Sequence, residues 1–342
     1  MDRNKPIAAI VGGSSLLGRE LRDLLAGSPI QTKLIGADEL ETGLLTEEAG
    51  EPVVMTALDA ENLAGARVAF LAGSAESSRK ALEMVARLPA APALIDVTYV
   101  LEERPAAQLR APLVEPASFV LAPRTEHVVA HPAAIALALL LVRLSRIRPI
   151  RRSIAHVFEP ASERGQRGVD ELQKQTISLL TFQKLPKGVY DEQVGFNLLA
   201  RYGSDAPLSI ESVELRIERH LATLLALNRG VPVPSVRLIQ APVFHGHSIS
   251  LWVEFEETAA AGVLEQGLAS EHIDVRGPDL EAPNIVGMAG QTGIAVGAIT
   301  ADRNHPQAAW FWVVADNIRI MAENAVAVAR SLVGQTGAAR IQ

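Results

Sequence analysis

The chain contains no cysteine in 342 residues. That excludes disulfides, cysteine-ligated zinc and every mechanism that runs on a thiol. It does not fix a compartment, because proteins of a reducing cytosol need no disulfides. Positive charge is also scarce: the net charge is -7, and no basic block marks a nucleic-acid surface. The densest basic run, Arg146 to Arg152, reads as a solvated turn between domains. Long apolar runs are missing too, since Ala133 to Val142 is too short to span a bilayer. Met1-Asp2-Arg3-Asn4-Lys5 leads straight into a strand, so no signal peptide is expected. The expectation is a soluble, cytoplasmic protein with no membrane or nucleic-acid partner.

What is present is a folded-protein composition, 48% hydrophobic and 21% charged, on a chain long enough for two domains. Pro6 to Val11 is an uninterrupted apolar run, as a parallel strand buried on both faces requires. Gly12-Gly13-Ser14-Ser15-Leu16-Leu17-Gly18 follows, then a helical pattern through Leu21, Leu24 and Leu25. Strand, glycine loop and helix in that order open a dinucleotide-binding fold. Gly12 suits the tight turn and Gly18 close helix-strand packing. Ser15 holds the slot of the middle glycine, where its Cβ crowds a pyrophosphate. The alternative is therefore a fold that has given up its nucleotide.

Lys33 to Ala37 reads as the second strand and Asp38 follows it. An acidic residue about 20 positions beyond the loop is where a ribose 2′-hydroxyl is held, so NAD is favoured over NADP if either binds. Asp38 could equally do no more than cap its turn. Strand-helix alternation continues through Pro52–Thr56, Ala66–Leu71 and Ala93–Val97, with Gly73 opening the intervening helix. Repeats of this kind imply a doubly wound parallel sheet, with ligands at the carboxyl ends of its strands.

From Leu121 to Leu144 a strand ends at Ala130, His131-Pro132 breaks the chain, and a long apolar helix opens at Ala133-Ala134. The start of such a helix favours anions and thiolates. Beyond Arg151 the pattern changes to strands separated by long amphipathic helices (169–180 and 210–225), ending in a strand over Ala308–Val314 and a helix from Asp316. This predicts a second, α+β domain with a mixed sheet. The expected boundaries are 1–130 (nucleotide-binding), 131–314 (dimerisation and catalytic-type) and 315–342 (a C-terminal helix returning to the first domain). An open sheet face predicts a C2 homodimer.

Five segments in register, GGSSLLG at 12–18, the strand-break-helix at 130–134, VGFNLL at 194–199, IQAPVFHGHS at 239–248 and WFWVVADNIR at 310–319, resemble the aspartate-β-semialdehyde dehydrogenase family. Gln240 to Phe244 followed by Gly246-His247 is most similar to its catalytically silent USG-type members. The resemblance implies a Rossmann-type domain plus a dimerisation domain. It also implies NADPH-linked reduction of aspartyl phosphate through a thioester on cysteine. Carried over by position, the nucleophile is Ala134, the acid/base histidine His247, the orienting glutamine Glu159, the substrate arginine Gln240 and the substrate glutamate Glu218. The phosphate arginine expected near Val100 to Glu102 is missing, Arg104 being displaced, and Ile320-Met321 replaces a glycine pair. Cofactor contacts implied by loop and resemblance are Gly12, Ser14, Ser15, Leu16, Gly18, Asp38, Gly73 and Asn317, although Asp316-Asn317 also reads as a helix cap.

A methyl group offers no lone pair, so no covalent intermediate can form at Ala134. Glutamine cannot replace the charge or fork of an arginine on a carboxylate. The leading expectation is a divergent or inactive paralogue that keeps NAD or another small ligand. One alternative is a live NAD-dependent oxidoreductase using His247 without covalent catalysis. The other is a dimeric scaffold. His245 and His247, two apart on an expected strand, suggest a metal pair completed by Glu159 or Glu218. The plainer reading, one site histidine beside a variable neighbour, is preferred, and no metal is expected. His131 reads as a packing residue at the helix start.

Overall fold

The computed structural model describes residues 5–48, 51–121, 125–228 and 230–338, so part of the 121–144 stretch and the end of the 315–342 segment lie outside the described residues. Two compact units divide the chain: residues up to Pro112, 117–130 and Met321 onward in the first, Leu113–Pro116 and His131–Ile320 in the second.

The first unit runs β1 (Ile7–Val11), α1 (Leu16–Leu25), β2 (Gln31–Ile35), the hairpin β3 (Leu45–Glu48) and β4 (Glu51–Val54), and α2 (Ala60–Leu63). It continues with β5 (Val68–Leu71), α3 (Ala75–Val85), β6 (Ala93–Asp96), β7 (Ala107–Arg110) and β8 (Glu126–Val129). Six strands form one sheet in the order β2-β1-β5-β6-β8-β7. Every pairing is parallel, as the unbroken apolar runs require. Leu21 and Leu25 of α1 are buried, and Ala9, Val11, Leu71, Leu94 and Val128 share one core.

The second unit opens with α4 (Pro132–Ile147), in which eleven of sixteen residues are buried. A helix apolar on nearly all sides belongs inside a domain. There follow β9 (Ile150–Glu159), α5 (Gly165–Leu180), α6 (Ile210–Ala226), β10 (Ser235–Gln240), β11 (His247–Phe255), α7 (Ala261–Leu268), β12 (Ile273–Arg276), β13 (Ile294–Ala301) and β14 (Ala308–Ala315). Helix α8 (Asn317–Ala338) begins immediately after β14. The sheet order is β10-β9-β11-β14-β13-β12. Two outer pairs, β10-β9 and β12-β13, are parallel and the inner ones antiparallel, which makes the mixed sheet expected from the sequence. Among the described residues no helix is long and apolar enough to cross a membrane.

Candidate functional site

In the first unit the glycine loop joins β1 to α1. Gly12 has φ +84°, and a Cβ there would meet the Cα of Gly73 at 2.3 Å, so two strand-end loops touch at a point only hydrogen can occupy. Ser15 is the N-cap of α1: its Oγ accepts the Gly18 N–H at 2.9 Å and donates to the Ala72 carbonyl at 2.7 Å. Leu16 is the first helical residue. The hydroxyl of Ser15 is thus consumed inward, in the slot that usually faces a pyrophosphate.

Asp38 turns its Oδ1 onto the N–H groups of Leu40 (2.9 Å) and Glu41 (3.2 Å), closing its own turn. The carboxylate that reaches the glycine loop belongs to Glu41, which the sequence reading passed over. Its Oε1 accepts the Ser14 hydroxyl at 2.5 Å and its Oε2 the Ala37 N–H at 2.7 Å. Arg104, the nearest sequence substitute for a phosphate arginine, is bidentate on Glu126, with both contacts at 2.9 Å.

The second unit holds the residues carried over by resemblance in the region from His131 onward. His131 is the N-cap of α4 and Pro132 fills its first position. The Nδ1 of His131 accepts the Ala133 N–H at 3.2 Å, so the neutral ring carries its proton on Nε2, 3.4 Å from Glu163 Oε2. The backbone N–H of His131 is taken by His220 Nδ1 at 2.9 Å. Ala134 is the third residue of α4 and has no exposed surface.

Residue Gly246 takes φ +84°, which breaks the extended backbone between His245 and His247. The two histidines therefore do not share a strand face. His245 is exposed ahead of β11, while His247, its first residue, is wholly buried. Among the described residues neither ring nitrogen of His247 has a hydrogen-bond partner, and its Nε2 stands 3.9 Å from Glu163 Oε1. Asn317 gives its Nδ2 to Glu163 Oε1 at 2.7 Å and receives the Gly246 N–H on Oδ1 at 2.9 Å. Its amide serves this cluster.

Glu159 closes β9 with no exposed surface and pairs with Arg164 at 2.6 Å. A residue that orients an acyl group by donating hydrogen bonds is here an acceptor locked to a cation. Gln240 directs both amide hydrogens at main-chain carbonyls, those of Glu159 and Ala241, each at 2.9 Å. Its Oε1 accepts the Tyr202 phenol at 2.6 Å. Glu218 sits away from these groups, on an open groove of about 660 Å³ beside Leu215, Arg219 and Val233. The α6 residue whose charge acts on Glu159, Glu163 and His131 is Arg216.

Burial dominates the electrostatics. It holds the His247 pKa down to about 3, with the Arg164 charge adding to the effect, and drives His131 well below its usual range. Burial, then the Glu159 charge, lifts Glu163 to about 7. The site is two neutral histidines around an acid that titrates near neutrality, with a buried Glu159–Arg164 pair at its side. One ligand atom from each of His131, Glu159 and Glu163 lies within 4.8 Å of the others, a spacing a metal could use. A metal on His131 Nε2 requires moving its proton to Nδ1, which abolishes the cap on Ala133. The geometry is better described as a hydrogen-bonded acid cluster. Glu163, Arg164 and Tyr202 were not found from sequence. They lie in a Gly/Arg/Gln-rich stretch and a long connection, with no local period to mark them.

A family model for the semialdehyde dehydrogenase dimerisation domain matches residues 144–320. The chain is 26% identical to an aspartate-semialdehyde dehydrogenase of Rickettsia bellii over 338 residues, covering 95% of this chain and 97% of that one. It is 29% identical to a USG-1 protein homolog of Pseudomonas aeruginosa over 317 residues, covering 91% and 92% respectively. A solved probable aspartate-semialdehyde dehydrogenase from Pseudomonas aeruginosa superposes with a TM-score of 0.84 at 27% identity, covering 96% of this chain and 99% of the other.

Proposed function

For a chain that belongs to the semialdehyde dehydrogenase family, we propose a divergent role in which the covalent dehydrogenase chemistry is absent and a nicotinamide nucleotide, NAD in preference to NADP, is retained as ligand. The observation that carries this reading is Ala134. The resemblance puts the family's nucleophile at this residue, which lies in the first turn of α4 as a buried methyl group in a chain with no cysteine. Without a lone pair there is no thiohemiacetal and no thioester. Three further residues support it. Gln240 spends its amide on the backbone, Glu159 is held by Arg164, and Arg104 is held by Glu126. None is free to clamp a carboxylate or phosphate.

The matched region is described as a dimerisation domain, which supports a homodimer formed through the second unit. The test is direct. Purified chain given aspartate semialdehyde, phosphate and either NAD or NADP should produce no reduced nucleotide, while NAD alone should raise the melting temperature. Steady turnover would overturn the first half of the proposal, and no thermal shift the second.

The placing of Glu163, 3.4 Å from His131 Nε2 and 3.9 Å from His247 Nε2, favours a second reading, an oxidoreductase working by acid catalysis alone. Burial and the Glu159 charge raise the Glu163 pKa, so its carboxyl can hold a proton to give to a carbonyl that accepts hydride. Ketone reduction by NADH that survives in the native chain and disappears in Glu163→Gln would select it.

A further inference from the structure

The side chain joining the two loops at the carboxyl ends of β1 and β2 is that of Glu41. These strands are parallel neighbours, with Val11 opposite Ile35, and the Gly12 and Gly13 N–H groups both donate to the Ile35 carbonyl at 2.8 and 3.2 Å. Glu41 fastens the same two loops from the other side. It takes the Ala37 N–H on one oxygen and the Ser14 hydroxyl on the other. In a sheet of this type the adenosine ribose of a dinucleotide lies across this pair of loops, and an acidic side chain about 20 residues beyond the glycines accepts its 2′-hydroxyl.

We propose that Glu41, and not Asp38, decides which nucleotide the glycine loop accepts: it admits a free ribose 2′-hydroxyl and rejects a 2′-phosphate. The inference rests on the nucleotide-binding reading given above and adds the residue responsible. The physical basis is an exchange. A ribose 2′-hydroxyl can donate to Oε1 as the Ser14 hydroxyl does, so the carboxylate loses no hydrogen bond when the ribose enters. A 2′-phosphate carries only acceptor oxygens and nearly two negative charges. It would set anion against anion and leave both with unanswered lone pairs. Asp38 and Glu39 add charge of the same sign on this turn. Lys80, a cation that feels them, is paired with Glu76 at 2.8 Å. Asp38 spends its Oδ1 on the turn that brings Glu41 inward, and it is the Glu41 carboxylate that bonds the glycine loop.

The experiment compares the native chain with Glu41→Gln by calorimetric titration of NAD and NADP. Glutamine preserves the length and can still accept from Ala37, so the loop is kept. A melting curve without nucleotide, matching that of the native chain, verifies this. The native chain should bind NAD at least tenfold more tightly than NADP. Glu41→Gln should shrink that ratio tenfold or more, chiefly by strengthening NADP. A native ratio of one or below, or a ratio unchanged by Glu41→Gln, overturns the assignment to Glu41 and leaves nucleotide binding standing. Failure of both nucleotides to bind the native chain overturns the nucleotide-binding reading and this inference with it. Should Glu41→Gln fold poorly, Glu41→Ser read by the same ratio decides in the same way.

Discussion

The phenol of Tyr202 donates to Gln240 Oε1 at 2.6 Å, and that contact fixes the amide so that both its hydrogens face main-chain carbonyls. The side chain that the resemblance assigns to the substrate-arginine position is here part of the frame. Gln240→Ala should therefore destabilise the fold by roughly 2–3 kcal/mol, because it strands buried polar groups that the amide now satisfies. The check is urea unfolding of the two proteins. A midpoint unchanged within error would mean the amide is free for a ligand after all.

Restoring the sulfur alone should achieve nothing. Ala134→Cys places a thiol at the start of α4, but Gln240 and Arg104 remain committed elsewhere. The expected rate of phosphate-dependent NAD(P) reduction from aspartate semialdehyde is zero in this variant. Measurable turnover would show that the lost clamps matter less than the lost nucleophile.

His247 is buried with no hydrogen-bond partner for either ring nitrogen among the described residues. Such a group costs desolvation and returns little, so His247→Leu should stabilise the protein by about 1 kcal/mol at pH 8. A lower unfolding midpoint would mean that the ring binds something essential to the folded state.

The same groups set opposing pH slopes. The folded pKa of His247 is depressed, so its contribution is complete above the unfolded value near 6.5 and is lost as pH falls towards about 3. The folded pKa of Glu163 is raised, so its contribution is complete below about 4.5 and is lost as pH rises through about 7. Between these limits the two oppose one another. Glu163→Gln should make stability fall more steeply from pH 7 to pH 5 than in the native chain, and His247→Leu less steeply. Unfolding midpoints at half-unit intervals would show either parallel or diverging curves, and parallel ones refute the assignment.

The frame was legible wherever the signal was local. Pro6 to Val11 and the glycines after it announce a buried strand and its turn, and the pattern of α6 follows from its spacing with Ser209 as cap. The short edge elements β7 and β12 were missed, since four residues carry little periodicity. The site was legible only where identity marks it, as at Ala134 and His247. Its other members meet through the fold: Asn317 reaches Ser162 across 155 residues, which no spacing rule encodes. Glu41 was missed for a smaller reason. Asp38 stands first in the turn and looks like the acidic residue of the motif, but its carboxylate is diverted to local N–H groups. One residue bent the strand reading at His245, because a left-handed Gly246 ends the alternation.

The approach of Gly12 to Gly73 has a consequence for how this sequence can drift. The constraint is one-sided: a Cβ at residue 12 runs into the backbone of Gly73, whereas one at residue 73 meets the Ser77 hydroxyl at 2.5 Å and clears the Gly12 Cα at 3.4 Å. A single methyl at residue 12 would act as a wedge between two turns 61 residues apart, and compensation would have to come from lengthening the second loop rather than from a matching point change.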